Sequence, residues 1–138
     1  MPQQANIVIN DGAGTPVAHT YVPKGSRVVD NRQISAWRDQ SQANYEAQWS
    51  ITESLTPFNS NGMAKLTYTI DVPTMETPGG TGPFVPPPTR AFGTIAKCEF
   101  WIHKRSVVLD RNHALQLMKN LLANANVTTA VTTLESHW

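Results

Sequence analysis

Two stretches in the middle of the chain alternate apolar and polar residues with a period of two. Tyr45, Ala47, Trp49 and Ile51 alternate with Glu46, Gln48, Ser50 and Thr52. Beyond the turn signal Asn59-Ser60-Asn61-Gly62, residues Ala64, Leu66, Tyr68, Ile70 and Val72 alternate with Lys65, Thr67, Thr69 and Asp71, as far as Pro73. Successive side chains of a strand point to opposite faces, so each run predicts a strand with one core face and one open face. The polar loop between them predicts antiparallel pairing. A third long strand is expected from about Arg90 to Ile102, with Ala96, Cys98, Phe100 and Ile102 on one side and Ile95, Lys97, Glu99 and Trp101 on the other. Nearer the start, Ile7-Val8-Ile9, the turn chemistry of Asp11-Gly12-Ala13-Gly14 and the loose alternation from Val17 to Val22 predict a hairpin over residues 5–22. Pro23-Lys24-Gly25-Ser26 is expected to break the chain after it.

The main sheet is expected within residues 30–103, interrupted by a projecting loop over 74–89. That loop holds Thr77-Pro78-Gly79-Gly80-Thr81-Gly82-Pro83 and Pro86-Pro87-Pro88. Proline supplies no N–H, so this stretch cannot be a central strand. After Lys104-Arg105 the period changes. Asp110 is a candidate N-cap, and Ala114, Leu115, Leu117, Met118, Leu121 and Leu122 then recur at helical spacing. A second short helix is expected from about Thr128 to Glu135, which places the helical region at residues 110–136. The fold class is therefore α+β: an N-terminal β-hairpin and an antiparallel β-sheet, followed by two C-terminal helices. At 138 residues, the chain is expected to form one domain, 1–138.

Composition narrows the function. Only 15 % of residues are charged, against about 25 % in ordinary soluble domains, and four Trp, three Tyr and four Phe argue against disorder. A net charge of +1 excludes binding of nucleic acid by global attraction, though not by a local basic patch. One cysteine, Cys98, excludes an internal disulfide framework and any multi-cysteine zinc site, and its place on the apolar side of its strand fits a small core residue. No apolar run reaches the roughly 20 residues of a membrane helix, so no membrane partner is expected. Met1-Pro2-Gln3-Gln4-Ala5-Asn6 has neither the basic start nor the apolar stretch of a signal peptide.

Catalysis needs a nucleophile, a base or a metal held in one place. His19, His103, His113 and His137 are scattered, so no catalytic residue, metal site or cofactor is expected. Asp11-Gly12-Ala13-Gly14 is superficially similar to a phosphate-binding loop, but it lacks the Gly-Lys-Ser/Thr ending and leads into a strand. The open sheet face offers Gln48, Ser50, Thr52, Lys65, Thr67, Thr69 and Lys97. Such hydroxyls, amides and amines can bind phosphates and bases, and they equally suit a solvated face, since threonine favours strands. The apolar arc of the first helix is wide for a chain with so little helix to cover its sheet. Leu117, Leu121 and Leu122 are accordingly expected at an interface between copies. A small enzyme or ligand-binding domain, with a pocket between sheet and helices, is the alternative.

The order of four stretches resembles the coat proteins of single-stranded RNA bacteriophages, the leviviruses. They are Ile7-Val8-Ile9-Asn10-Asp11-Gly12; the block from Ile34-Ser35-Ala36-Trp37 through Tyr45 to Tyr68-Thr69-Ile70-Asp71-Val72-Pro73; Phe100-Trp101-Ile102-His103-Lys104-Arg105-Ser106; and the tail from His113-Ala114-Leu115 through Lys119-Asn120-Leu121-Leu122-Ala123 to Leu134-Glu135-Ser136-His137-Trp138. The resemblance implies an interlocked homodimer whose helices cross a joint sheet, and an icosahedral shell of such dimers. It also implies a virion location, assembly in the bacterial cytoplasm, and single-stranded genomic RNA held on the inner sheet face, where an RNA hairpin is gripped and translation repressed. By position, Gln48, Ser50, Thr52, Lys65, Thr67, Thr69 and Lys97 match strand positions that face RNA in the family. The chain departs from the pattern where Ile95 stands for a stacking tyrosine, Thr52 for an arginine and His103 for a proline.

Overall fold

The computed structural model describes residues 3–79 and 85–136. Two compact units divide the chain, Met1–Trp101 and Ile102–Trp138. The first holds the sheet, apart from the last residues of its final strand. Its strands are β1 (Ile7–Asn10), β2 (Ala18–Val29), β3 (Arg32–Asp39), β4 (Ser50–Thr56), β5 (Met63–Glu76) and β6 (Thr89–His103). They neighbour one another in chain order, a six-stranded meander among the described residues. Each of the first four neighbouring pairs is antiparallel.

β2 corrects the expected break at Pro23. The strand runs on from the hairpin into the main sheet, and its pairing with β3 shifts register between Pro23 and Gly25. A bulge tolerates proline because the ladder is already interrupted there. Gly25 takes φ +100°, which a side chain rarely adopts. The next turn rests on Asp30 (φ 50°) and Asn31 (φ 60°). A two-residue hairpin turn with both φ positive suits the right-handed twist of its strands, and Asp and Asn tolerate that region best after glycine.

β4 begins later than the alternation from Tyr45 predicts. Tyr45–Ala47 is a 3-10 turn, capped by Asn44, whose side chain accepts the Glu46 N–H at 3.0 Å. Tyr45 is consequently 62 % exposed instead of lying on the core face. Trp49 and Ile51 keep their expected apolar side. Tyr21, Trp37 and Ile51 form the buried cluster, with Ile7, Trp49 and Ile70 packed against it. The Trp37 indole donates to the Ala5 carbonyl at 3.0 Å, which ties the N-terminal segment to that cluster. The expected loop over 74–89 is shortened by β5 and β6 to 77–88, and its residues 80–84 lie outside the described residues. Cys98, expected in the core, is half-buried.

A polar clasp joins the hairpin to the end of β3. Asp11 accepts the Ala13 and Val17 N–H groups at 3.2 and 2.8 Å, so the loop's amides face a carboxylate rather than a phosphate. The His19 ring stacks on Trp49 with centroids 4.4 Å apart. Its Nδ1 lies 2.5 Å from an Asp39 oxygen and its Nε2 3.4 Å from an Asp11 oxygen. Asp39 also accepts the Ser41 N–H and hydroxyl, at 2.9 and 3.0 Å.

The second unit contains α1 (Val108–Leu122) and α2 (Ala125–Thr133). Asp110 is not the N-cap. Val107 is, and the Asp110 carboxylate reaches back to accept the Val107 N–H at 3.1 Å, from a place in the first turn that also suits the helix dipole. α2 starts earlier than expected because the Asn124 side chain accepts the Asn126 N–H at 2.9 Å. Its threonines are poor helix formers, yet Thr128, Thr129, Thr132 and Thr133 each donate a hydroxyl to a carbonyl of the preceding turn. Leu134 ends the helix at φ 58°. Leu117, Leu121 and Leu122 are 69, 54 and 59 % exposed.

The clasp sets a pH dependence. The Asp39 hydrogen bond chiefly raises the His19 pKa above 6.5, and the bond to Asp11 adds to it. Hydrogen bonds from Val17 and Ala13 lower Asp11 below 3.8. Burial alone would raise Asp39, but its bonds from His19 and Ser41 bring it below 3.8. The stability His19 contributes is complete below pH 6.5 and is lost as pH rises through its higher folded value. The aspartates' contribution is complete above pH 3.8 and is lost as pH falls through their lower folded values. We expect melting temperature to decline on the alkaline side and His19→Gln to remove that decline. An equal decline in the variant would place its origin elsewhere.

Candidate nucleic-acid interface

The β-ladder sorts the sheet into two faces. Trp37 sits opposite Ile51, and Ile51 opposite Ile70, on the core face. The other face is built in rows across the strands, because residues directly opposite share a face. Val22, Arg38, Ser50 and Asp71 form one row. Gly25, Ala36, Thr52 and Thr69 form the next, followed by Arg27, Ile34, Ser54 and Thr67. Thr56 then faces Lys65.

β6 extends this face through ion pairs. Glu99 takes Lys65 and Lys97 on one carboxylate oxygen, each at 2.8 Å. Those two hydrogen bonds hold the Glu99 carboxyl down at about 2. The Lys65 ammonium also lies 4.8 Å from the centre of the Trp101 ring. At the far end, Arg90 grips Asp71 with two parallel bonds of 2.6 and 2.8 Å. Gly93 makes room for that grip: a Cβ there would lie 1.8 Å from an Arg90 nitrogen and 2.8 Å from an Asp71 oxygen.

Six of the seven candidate residues therefore share a face: Ser50, Thr52, Lys65, Thr67, Thr69 and Lys97. Gln48 does not sit on the strand. It caps the 3-10 turn, where its amide donates to the Gln42 carbonyl at 2.9 Å. Glu53 lies on the opposite, core-side face, where it accepts the Tyr68 hydroxyl at 2.6 Å. Burial first, then that bond, pushes Tyr68 up to about 12. Arg27 and Arg38, second in line to Lys65 and Lys97 as RNA contacts, also belong to the polar face. Their strand signal is weak, since only knowledge of the Asp30-Asn31 turn sets β3 against β2. Among the described residues no group of three ligating side chains is arranged to hold a metal ion.

The family decides what kind of protein carries this face. The model of the levivirus coat protein family matches residues 2–138. The chain belongs to that family. The coat protein is similar in structure to the virus-like particle of bacteriophage ESE058, with a TM-score of 0.88, 27 % identity and coverage of 99 % of this chain and 100 % of the other. The virus-like particle of bacteriophage NT-214 gives a TM-score of 0.85, 27 % identity and the same coverage, 99 and 100 %. The bacteriophage GA protein capsid shares the fold at 17 % identity, with a TM-score of 0.72 and 95 % of each chain covered. A comparison with curated proteins by sequence finds no match. The coat protein is thus a structural component of a virion that associates with copies of itself, and the enzyme alternative falls.

Gly93 offers a test of the polar edge of this face. Gly93→Ala should displace the Arg90 side chain and break its pair with Asp71. Both partners are partly exposed, so the expected cost is below about 1 kcal/mol. Urea unfolding should show a small change in midpoint. A loss of several kcal/mol would mean that the backbone itself has moved.

Proposed function

We propose that this coat protein assembles through dimers into closed shells and holds single-stranded RNA against the polar sheet face. The observation that carries this reading is the composition of that face. Rows of hydroxyls from Ser50, Thr52, Ser54, Thr67 and Thr69 are bordered by Arg27, Arg38, Lys65, Arg90 and Lys97. The basic side chains outnumber Glu46, Asp71 and Glu99 there, although the whole chain carries only +1. Local placement thus supplies what net charge does not. The solved virus-like particles at 27 % identity support assembly into shells. Assembly takes place in the bacterial cytoplasm, where the RNA is made. The exposed leucines of α1 are the surface that a second copy covers, with helices interlocked over a joint sheet.

Glu99 tempers the RNA contact. It stays ionised at every working pH and competes with phosphate for Lys65 and Lys97. Glu99→Gln should therefore raise RNA affinity, whereas Lys65→Ala/Lys97→Ala should lower it at all sequences. Each lysine that neutralises a phosphate contributes about 0.7 to the salt slope for single strands. The double variant should still form particles with less RNA, visible as a lower ratio of nucleic-acid to protein absorbance. Unchanged RNA content and an unchanged slope would move the contacts to other residues.

Leu121→Asp tests the helical interface. An unpaired charge buried between subunits costs several kcal/mol. Size-exclusion chromatography should show neither dimers nor particles. Normal particles from this variant would exclude Leu121 from the interface.

A further inference from the structure

One end of the polar face is hollowed into a groove that the RNA-face reading alone does not explain. Arg38, Tyr45, Glu46, Gln48, Ser50, Asp71, Thr89 and Arg90 line it. The 3-10 turn lifts Tyr45 out of the sheet, leaving its ring 62 % exposed. The Arg38 guanidinium carbon lies 3.8 Å from the centre of that ring, and an Arg38 N–H donates to the Tyr45 carbonyl at 3.3 Å. Ring and guanidinium are thereby fixed as a stacked pair on an exposed edge. The Asn44 side chain secures the turn from both sides. Its oxygen accepts the Glu46 N–H, and its nitrogen donates to the Pro88 carbonyl at 3.0 Å.

We propose that this groove takes one unpaired nucleobase of the bound RNA, stacked on the Tyr45–Arg38 pair, with Gln48 and Ser50 at its edge. The inference rests on the RNA-face reading and adds a base subsite to it. The charge of the groove selects a base over a phosphate. Arg38 and Arg90 are balanced by Glu46 and Asp71, and Arg90 is already bound bidentately to Asp71. A neutral, flat ligand with donors and acceptors at its rim fits such a lining, and a phosphate does not. Aromatic and guanidinium planes are the surfaces on which single-stranded bases stack. The Gln48 amide nitrogen is held by the Gln42 carbonyl, which turns Gln48 into an oriented acceptor, while the Ser50 hydroxyl can donate or accept.

The test uses full-length protein freed of RNA and fluorescence anisotropy with short single-stranded oligoribonucleotides. A second probe has the same phosphates and abasic sugars. Tyr45→Ala and Tyr45→Leu should weaken binding of the first probe about tenfold, within the range for one stacked base, and leave the salt slope unchanged. Tyr45→Phe should bind like the parent. On the abasic probe, parent and variants should bind alike. Tyr45 lies outside the core, so dimers and particles should persist in every variant, checked by size-exclusion chromatography. Undiminished RNA binding by Tyr45→Ala, or an equal loss on the abasic probe, would overturn the base subsite and leave the RNA face standing. A parent protein that binds neither probe would overturn the RNA face and the subsite together.

Discussion

The register of β3, β4 and β5 is the constraint on which everything else depends. Trp37 opposite Ile51 and Ile51 opposite Ile70 put one stripe of apolar side chains on a single face. A slip of one residue would send that stripe to solvent and the threonines to the core. Because the apolar stripe must be buried, the rows of Thr52 with Thr69 and Ser54 with Thr67 have no choice but the other side. The same register carries Arg27 and Arg38 to the polar face through β2 and β3. Packing on one face thus writes the chemistry of the other.

The buried cluster is small for a sheet of this length. Among the described residues, it consists of Tyr21, Trp37 and Ile51, while Leu109, Leu115, Leu117, Leu121 and Leu122 stay exposed on α1. Such a distribution is unfavourable for a solitary chain and natural for a coat subunit, whose neighbours remove apolar surface from water on assembly. Folding and shell formation then share one driving force. The His19 clasp is a different device. It fastens the hairpin by charge and hydrogen bonds instead of by apolar area, so its strength follows pH.

Much of this was legible in the residues. The alternation of β5 and β6, the helical period after Lys104-Arg105 and the polar character of Thr67, Thr69 and Lys65 all follow from period and composition. The levivirus resemblance rested on the same stretches and agrees with the family match. The misreadings have local causes. Tyr45 continues the alternation of Trp49 and Ile51, yet Asn44 offers its side chain to the backbone and diverts the chain into a 3-10 turn. Pro23 looks like a terminator because a bulge cannot be seen without its partner strand. Asp110 looks like a cap because a carboxylate can serve a helix start either as the N-cap itself or, as here, from the third helical position by reaching back to the N-cap N–H. The Lys65–Glu99–Lys97 cluster joins β5 to β6, and such a cluster depends on register, which a single sequence does not state.

In the proposed function, the hydroxyl-lined face of the sheet is the side that meets RNA within a closed shell. Electron cryo-microscopy of particles formed by the intact protein tests it most directly. Closed shells are expected, with the Thr52, Thr67 and Thr69 side chains facing inward and RNA density lying against them. Shells in which that face points outward, or in which the RNA lies against the Trp37 and Ile51 side of the sheet, would contradict it.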